Sequence, residues 1–113
     1  MKKENLILLI VIIAVIGIIL GITELKKSDK WTEEEAQCIS KKSELYVQTT
    51  CGHCSQQEDL LGDYKELFNI INCAIEPKKC IEQGITGTPT WIIDGEKYNG
   101  VQSLKKLKEL ADC

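Results

Sequence analysis

The chain has 113 residues, a formal net charge of −3 and no arginine, and this length allows one soluble domain at most. From Trp31 onward it carries 9 lysines and 14 acidic residues, a net charge of −5. Nucleic-acid binding needs a basic face and favours arginine at bases and phosphates, so the composition argues against a nucleic-acid partner.

An apolar segment opens the chain. Leu6 to Ile22 contains no charged or strongly polar residue, and as a helix it would span about 25 Å, the low end of the length that crosses a bilayer. We expect a single transmembrane anchor in the lipid bilayer over residues 1–23, a tether over residues 24–31 and a folded domain over residues 32–113. A cleaved signal peptide is the alternative, with Gly21-Ile22-Thr23 as a weak cleavage site.

All six cysteines follow the apolar segment, at Cys38, Cys51, Cys54, Cys73, Cys80 and Cys113. An even number of cysteines in a domain of this size is typical of an oxidising compartment. The flanking lysines barely discriminate between the two orientations of the anchor. The cysteines therefore predict a single-pass membrane protein whose soluble domain is extracytoplasmic.

The predicted elements of the domain alternate between helices and strands. Thr32 is expected to cap a helix to about Lys42, with Glu35 completing a capping box, and Trp31 is either a hydrophobic staple or a residue at the membrane surface. The later elements are a strand, a helix, a strand, a helix, a hairpin and a final helix, expected at 44–49, 55–66, 68–75, 77–83, around Asp94-Gly95, and after Ser103. This order predicts an α/β fold with a mixed central sheet flanked by helices.

The helix expected at 55–66 has apolar residues at helical spacing. They are Leu60, Leu61, Tyr64 and Leu67, which we expect to form one packing face. Gly62 within this helix is expected to permit close packing. Tyr46, Trp91 and Tyr98 are interpreted as packing residues of the core or hairpin.

Cys51-Gly52-His53-Cys54 is the most informative motif, because it lies between a predicted strand and a predicted helix. At a helix N-terminus, unpaired N–H groups and the helix dipole stabilise a thiolate, which is the nucleophile of disulfide exchange. We predict that Cys51 attacks and that Cys54 resolves the mixed disulfide. Gly52 leaves room for a substrate, and His53 adds positive character beside Cys51.

With these elements in place, residues 43–113 resemble a thioredoxin-fold protein. The resemblance rests on Cys51-Gly52-His53-Cys54 after the first strand, Thr88-Pro89 before the hairpin, and the closing helix. The motif Cys-Gly-His-Cys is also similar to that of protein disulfide isomerases. This likeness implies a thiol–disulfide oxidoreductase in which Pro89 is cis and faces the dithiol, while the Thr88 backbone pairs with an extended substrate segment.

A closer resemblance is to the thioredoxin-like domain associated with vitamin K epoxide reductase homologues in bacteria and archaea. The segments that carry it are 84–91, Asp94-Gly95, 98–104 and the terminal Cys113. That family has a second cysteine pair, which here would be Cys73 and Cys80. The chain lacks the family's multi-helix, quinone-reducing domain, so the resemblance implies a separate membrane redox partner of this type.

The remaining cysteines leave alternatives open. Cys73 and Cys80 are interpreted as a structural disulfide, with a redox relay as the alternative, and Cys38 and Cys113 are paired by elimination only. Zinc held by the two inner pairs is a rival, although six residues between Cys73 and Cys80 do not fit the usual spacing. Covalent haem would need His where Ser55 stands.

The overall expectation is a membrane-anchored oxidoreductase that exchanges disulfides with protein substrates and needs no metal or cofactor beyond the Cys51–Cys54 disulfide. It is expected to act as an oxidant or isomerase. The alternatives are a reductant of protein disulfides, or a tethered module whose cysteines are structural or bind zinc. No firm proton acceptor for the dithiol is evident, since Glu44 and Glu58 are interpreted as surface charges.

Overall fold

The computed structural model describes residues 2–24 and 30–113, which fall into two compact units that divide between Lys30 and Trp31. The predicted tether over 24–31 lies mostly outside the described residues. In the first unit, helix α1 covers Lys3–Glu24. By length and composition this helix could cross a membrane, a test that an N-terminal signal sequence also passes.

The second unit has the predicted α/β fold, a four-stranded mixed sheet flanked by helices. Its elements in chain order are α2 Glu33–Lys42, β1 Ser43–Val47, α3 Gly52–Leu61, a 3₁₀ helix Gly62–Leu67, β2 Asn69–Asn72, α4 Pro77–Glu82, β3 Thr90–Ile93, β4 Glu96–Asn99 and α5 Leu104–Ala111. The strand order is β2-β1-β3-β4. Strand β1 is parallel to β2 and antiparallel to β3, and β3 is antiparallel to β4.

The sheet separates two hydrophobic clusters, because successive side chains of a strand point to opposite faces. Leu45 and Val47 of β1 lie in the larger cluster, with buried residues of α2, α3 and α5. Tyr46 lies in a smaller cluster with Ile71 of β2 and Cys80 of α4. The dithiol helix α3 therefore packs on the same side of the sheet as the first and last helices of the domain.

Trp31 lies in the core of the second unit, where its side chain is 7% exposed. Its ring centroid is 5.3 Å from that of Phe68, which in turn is 5.7 Å from that of Trp91. The alternative that places Trp31 at a membrane surface is therefore wrong.

The capping box predicted at α2 forms on one side only. The Glu35 backbone N–H donates to Thr32 Oγ1 at 3.2 Å. The Glu35 carboxylate instead pairs with Lys108 at 3.0 Å, because packing of α5 against α2 brings that ammonium group close. An ion pair between the two helices thus replaces the reciprocal half of the box.

The dithiol helix is shorter than the sequence predicts and starts earlier. It begins at Gly52, and its α-helical part ends at Leu61, because Gly62 adopts a φ of +58°. Leu60 lies off the buried face of α3, which Cys54, Gln57 and Leu61 share, so Leu60 is 39% exposed while Leu61 is buried, and Leu67 at the end of the 3₁₀ helix is 42% exposed. The single packing face predicted for this segment is therefore wrong. Gly62 serves the backbone turn rather than close packing, since the space beside it is open.

Two strands also end earlier than predicted. Strand β1 stops at Val47, and β2 stops at Asn72, whose side-chain oxygen accepts from the Ala74 N–H at 2.9 Å and starts a turn. The hairpin between β3 and β4 turns at Asp94 and Gly95, which both have positive φ, as a two-residue type I′ loop requires.

Helix α5 begins directly after Ser103, as predicted. Ser103 is its N-cap and accepts from the Lys106 N–H at 3.1 Å. The side chains of Leu104, Leu107 and Ala111 are buried. All three belong to the larger hydrophobic cluster.

Candidate active site

Cys51 is the N-cap residue of α3. The apolar residues of β1 hold the preceding chain in the sheet, and Thr50 then takes a positive φ of 61° that turns the chain toward the helix. The Cys54 backbone N–H donates to the Cys51 Sγ at 3.1 Å. The sulfur thus occupies the position where an N-cap side chain accepts a hydrogen bond, at the positive end of the helix dipole.

Cys51 and Cys54 form a disulfide, with their Cα atoms 5.2 Å apart. The two sulfurs differ in access, because Cys51 is half-buried and Cys54 is 3% exposed. Gly52 and His53, between them, are exposed to solvent. A Cβ at Gly52 would meet no atom within 4 Å, so the approach to the dithiol beside Gly52 is open. An incoming sulfur can reach Cys51 but not Cys54.

Thr88 lies against the dithiol, and Pro89 follows it in the chain. The Thr88 carbonyl oxygen is 3.8 Å from the Cys51 Sγ, and the Thr88 hydroxyl oxygen is 3.6 Å from it. The Thr88–Pro89 peptide bond is cis, Pro89 is buried and Thr88 is half-buried. The fold therefore brings together two motifs that lie 37 residues apart in the sequence.

Two hydrogen-bond donors and the Thr88 carbonyl oxygen surround the Cys51 sulfur. Two donors point at it, the Cys54 N–H and the Thr88 hydroxyl, and the N-terminus of α3 adds a favourable dipole. Hydrogen-bond donors in these positions stabilise negative charge on the sulfur.

The two carboxylates considered as proton acceptors have other partners. The Glu44 carboxylate accepts from the Tyr46 hydroxyl at 2.6 Å, and Glu58 pairs with Lys65 at 3.4 Å. Burial and the neighbouring Glu44 carboxylate raise the pKa of Tyr46 well above its usual range. Leu45, which lies between Glu44 and Tyr46 in β1, packs in the larger hydrophobic cluster together with buried residues of α3.

Gln57 is a buried polar residue that the sequence pattern did not single out. It lies on α3 one turn beyond Cys54 and is fully buried. Its amide contacts Trp91 at the start of β3 and the backbone of Gln102. The spacing of Cys54, Gln57 and Leu61, which share the buried face of α3, was the signal that could have found it.

The other four cysteines form two disulfides. Cys73 pairs with Cys80 and joins the end of β2 to α4, while Cys38 pairs with Cys113 and joins α2 to the end of the chain. The Cys73 N–H donates to the Val47 carbonyl at 2.8 Å. The Cys73–Cys80 disulfide thus lies at the same end of β1 as the loop that leads to Cys51.

The aromatic residues singled out in the sequence have packing positions. Trp91 and Tyr46 are buried, and Tyr98 packs partly buried against the larger cluster. Over residues 2–24 and 30–113, no group of three or more His, Cys, Asp or Glu side chains converges in a way that could hold a metal ion.

No family model matches the chain. Among solved structures, it is similar to the NTD_N/C domain of the alkylhydroperoxide reductase AhpF from Enterococcus faecalis, with a TM-score of 0.50 and 17% identity over 74% of this chain and 46% of that one. A mutant of AhpF from the same organism gives a TM-score of 0.51 and 16% identity, again over 74% and 46%. The thioredoxin from Aeropyrum pernix gives 0.47 and 19% over 71% and 81%.

The two matches to AhpF, with TM-scores of 0.50 and 0.51, define the class of fold. The match covers less than half of each alkylhydroperoxide reductase chain, and it falls on a thioredoxin-like fold in each case. The second unit is thus a thioredoxin-like α/β fold with a four-stranded mixed sheet flanked by helices.

Proposed function

We propose that this chain is a membrane-anchored thiol–disulfide oxidoreductase that exchanges disulfides with protein substrates through Cys51 and Cys54. The observation that carries the proposal is the asymmetry of the dithiol. A half-buried Cys51 sulfur at a helix N-terminus is bonded to a buried Cys54 and faces Thr88. A purely structural disulfide has no need of one accessible sulfur surrounded by hydrogen-bond donors.

In the oxidising direction, a substrate thiolate attacks the Cys51 Sγ. The Cys51–Cys54 bond breaks, a mixed disulfide forms between Cys51 and the substrate, and Cys54 leaves as a thiolate that takes up a proton. A second substrate thiolate then attacks the substrate sulfur of the mixed disulfide. The substrate gains a disulfide, Cys51 leaves as a thiolate, and the dithiol holds the two electrons that the substrate has lost.

In the reducing direction the same steps run backwards. The Cys51 thiolate attacks a substrate disulfide, and the Cys54 thiolate then attacks Cys51 to release the substrate as a dithiol. The donors around the Cys51 sulfur stabilise its thiolate as attacking group and as leaving group alike. Because they favour the reduced form, they support the oxidant or isomerase direction over the reductant direction.

Thr88 supports a protein as substrate. It is half-buried and its carbonyl oxygen lies 3.8 Å from the Cys51 Sγ, so an extended peptide whose cysteine reaches Cys51 would run along the Thr88 backbone. The space beside Gly52 is open, which leaves room for such a peptide. His53 is exposed in the same motif, and its imidazole would add positive charge near an incoming thiolate when it is protonated.

A membrane redox partner of the vitamin K epoxide reductase type would return the dithiol to the disulfide. The proposal rests on helix α1, which is long and apolar enough for a membrane anchor, and on the sequence resemblance of the domain. In this arrangement the soluble domain lies outside the cytoplasm, where the Cys38–Cys113 and Cys73–Cys80 disulfides would persist.

Trapping of mixed disulfides tests the function. Cys54→Ser leaves Cys51 without its resolving thiol, so we expect it to accumulate covalent adducts with substrate proteins in cells, and these should dissolve on reduction. Cys51→Ser is the matched control and should trap none. If neither variant forms adducts and the purified chain contains stoichiometric zinc, the chain is a tethered metal-binding module and the proposal fails.

A further inference from the structure

Gln57 uses three hydrogen bonds of its side-chain amide within the domain. The Oε1 atom accepts from the Trp91 Nε1–H at 2.9 Å and from the Gln102 N–H at 2.6 Å, and the Nε2 atom donates to the Gln102 carbonyl at 3.0 Å. Two donors on one side and an acceptor on the other fix the orientation of the amide. A glutamine with 0% exposure and these partners is a cross-link rather than a surface residue.

The partners of Gln57 hold the segment that faces Cys51. Trp91 lies two residues after Pro89, on the strand that this segment enters. Gln102 lies two residues after Gly100, whose N–H donates to the Pro89 carbonyl at 2.8 Å. The Gln57 amide thus reaches, from the helix that carries Cys51 and Cys54, both stretches of chain that fix Pro89 and therefore Thr88.

We propose that Gln57 is a positioning residue, which sets the approach of Thr88 to the Cys51 sulfur and thereby the ionisation of the Cys51 thiol. The inference rests on the proposed function, since it names a residue that tunes the same dithiol. Side-chain packing alone would allow small shifts of α3 against the sheet, whereas the hydrogen bonds of the Gln57 amide also fix the orientation of the helix. The Thr88 hydroxyl oxygen is already 3.6 Å from the Cys51 sulfur, so a small further separation would break the hydrogen bond between them.

The test compares the full-length chain in detergent micelles with Gln57→Met and Gln56→Met. Methionine keeps the length of the side chain at position 57 and removes all three hydrogen bonds. Gln56 is the matched control, because it is the neighbouring glutamine on the same helix and is exposed. The rate of alkylation of Cys51 is followed against pH by mass spectrometry, after selective reduction of the Cys51–Cys54 disulfide, and the equilibrium of that disulfide with glutathione is measured in parallel.

We expect Gln57→Met to raise the midpoint of Cys51 alkylation by about 0.5 pH unit or more, equivalent to about a threefold loss of thiolate stabilisation. The equilibrium with glutathione should shift toward the disulfide by a similar factor. Gln56→Met should change neither quantity. A variant that loses thermal stability but keeps the wild-type midpoint and equilibrium would overturn the inference, since that result indicates a merely structural role.

A second variant covers the case in which Gln57→Met does not fold. Trp91→Phe keeps an aromatic ring and removes one donor from the same amide, so we expect a smaller shift in the same direction, and no shift would overturn the inference. Failure of the proposed function is a separate outcome. In that case the wild-type Cys51–Cys54 disulfide itself would not equilibrate with glutathione.

Discussion

The Thr88 hydroxyl oxygen lies 3.6 Å from the Cys51 sulfur, although 37 residues separate the two in the chain. The Cys54 backbone nitrogen lies 3.1 Å from the same sulfur and donates its N–H to it. One donor comes from the first turn of α3 and the other from the segment before β3. The chemistry proposed for Cys51 therefore depends on how the sheet holds these two elements together.

Replacing Thr88 by valine should make the Cys51 thiol less acidic. The substitution keeps the shape of the side chain and removes the hydroxyl that donates to the sulfur. Hydrogen bonds to charged groups contribute about 1.5–3 kcal/mol when buried. Since Cys51 is only half-buried, we expect the midpoint of its alkylation against pH to rise by about 0.5–1 pH unit.

Thr86→Val is the matched control for this substitution. Thr86 lies two residues before Thr88 and is exposed, so the same change of side chain there should leave the midpoint of Cys51 alkylation unchanged. Equal shifts in both variants would mean that the Thr88 hydroxyl has no specific role.

The two structural disulfides should differ in their contribution to stability. Cys38 and Cys113 are 75 residues apart, whereas Cys73 and Cys80 are 7 apart. If a disulfide acts mainly by restricting the unfolded chain, the longer loop contributes about 4 kcal/mol and the shorter about 2 kcal/mol. Double serine variants of each pair, compared by urea denaturation, should show this order, and the reverse order would contradict it.

Trp31→Ala should destabilise the second unit by about 3–5 kcal/mol, the usual cost of removing a large buried aromatic side chain. Trp31 is 7% exposed and packs on Phe68 at 5.3 Å. Leu60→Ala serves as the control, because Leu60 is 39% exposed and should cost less than about 1 kcal/mol. Similar losses for both variants would show that Trp31 does not pack in the core.

The stability of the folded domain should fall above pH 10, because Tyr46 resists ionisation in the folded state. Burial, and then the Glu44 carboxylate, raise its pKa in the folded state above the ordinary value of 10.0. The neutral phenol is therefore favoured by folding, its contribution is complete below pH 10, and it is lost as pH rises and the unfolded state ionises. The free energy of unfolding should fall by up to about 1.4 kcal/mol per pH unit. In denaturation measured from pH 9 to 11, the free energy of unfolding of Tyr46→Phe should fall less steeply than that of the wild type.

Features fixed by local chemistry could be predicted from the sequence. The position of Cys51 at a helix N-terminus follows from a strand, a Cys-x-x-Cys motif and a helix in succession. Ser103 and the Asp94-Gly95 turn were equally predictable, because capping and positive φ depend on the residues themselves.

Features that depend on tertiary contacts could not be predicted in the same way. The outward position of Leu60 follows from which face of α3 packs on the core, the face of Cys54, Gln57 and Leu61. The ion pair of Glu35 needs α5 beside α2. Gln57 was missed because a glutamine in a helical sequence is usually assigned to the solvent-exposed face. Its partners Trp91 and Gln102 are distant in sequence and reach its side-chain amide only in the folded domain.

The most direct measurement mixes the oxidised full-length chain with a reduced, unfolded protein and maps each cysteine by alkylation and mass spectrometry. We predict that Cys51 and Cys54 become reduced as the other protein gains an equal number of disulfides, while Cys38–Cys113 and Cys73–Cys80 stay intact. A Cys51–Cys54 disulfide that persists in the presence of excess substrate thiols, or is reduced no faster than the other two, would contradict the proposed exchange chemistry.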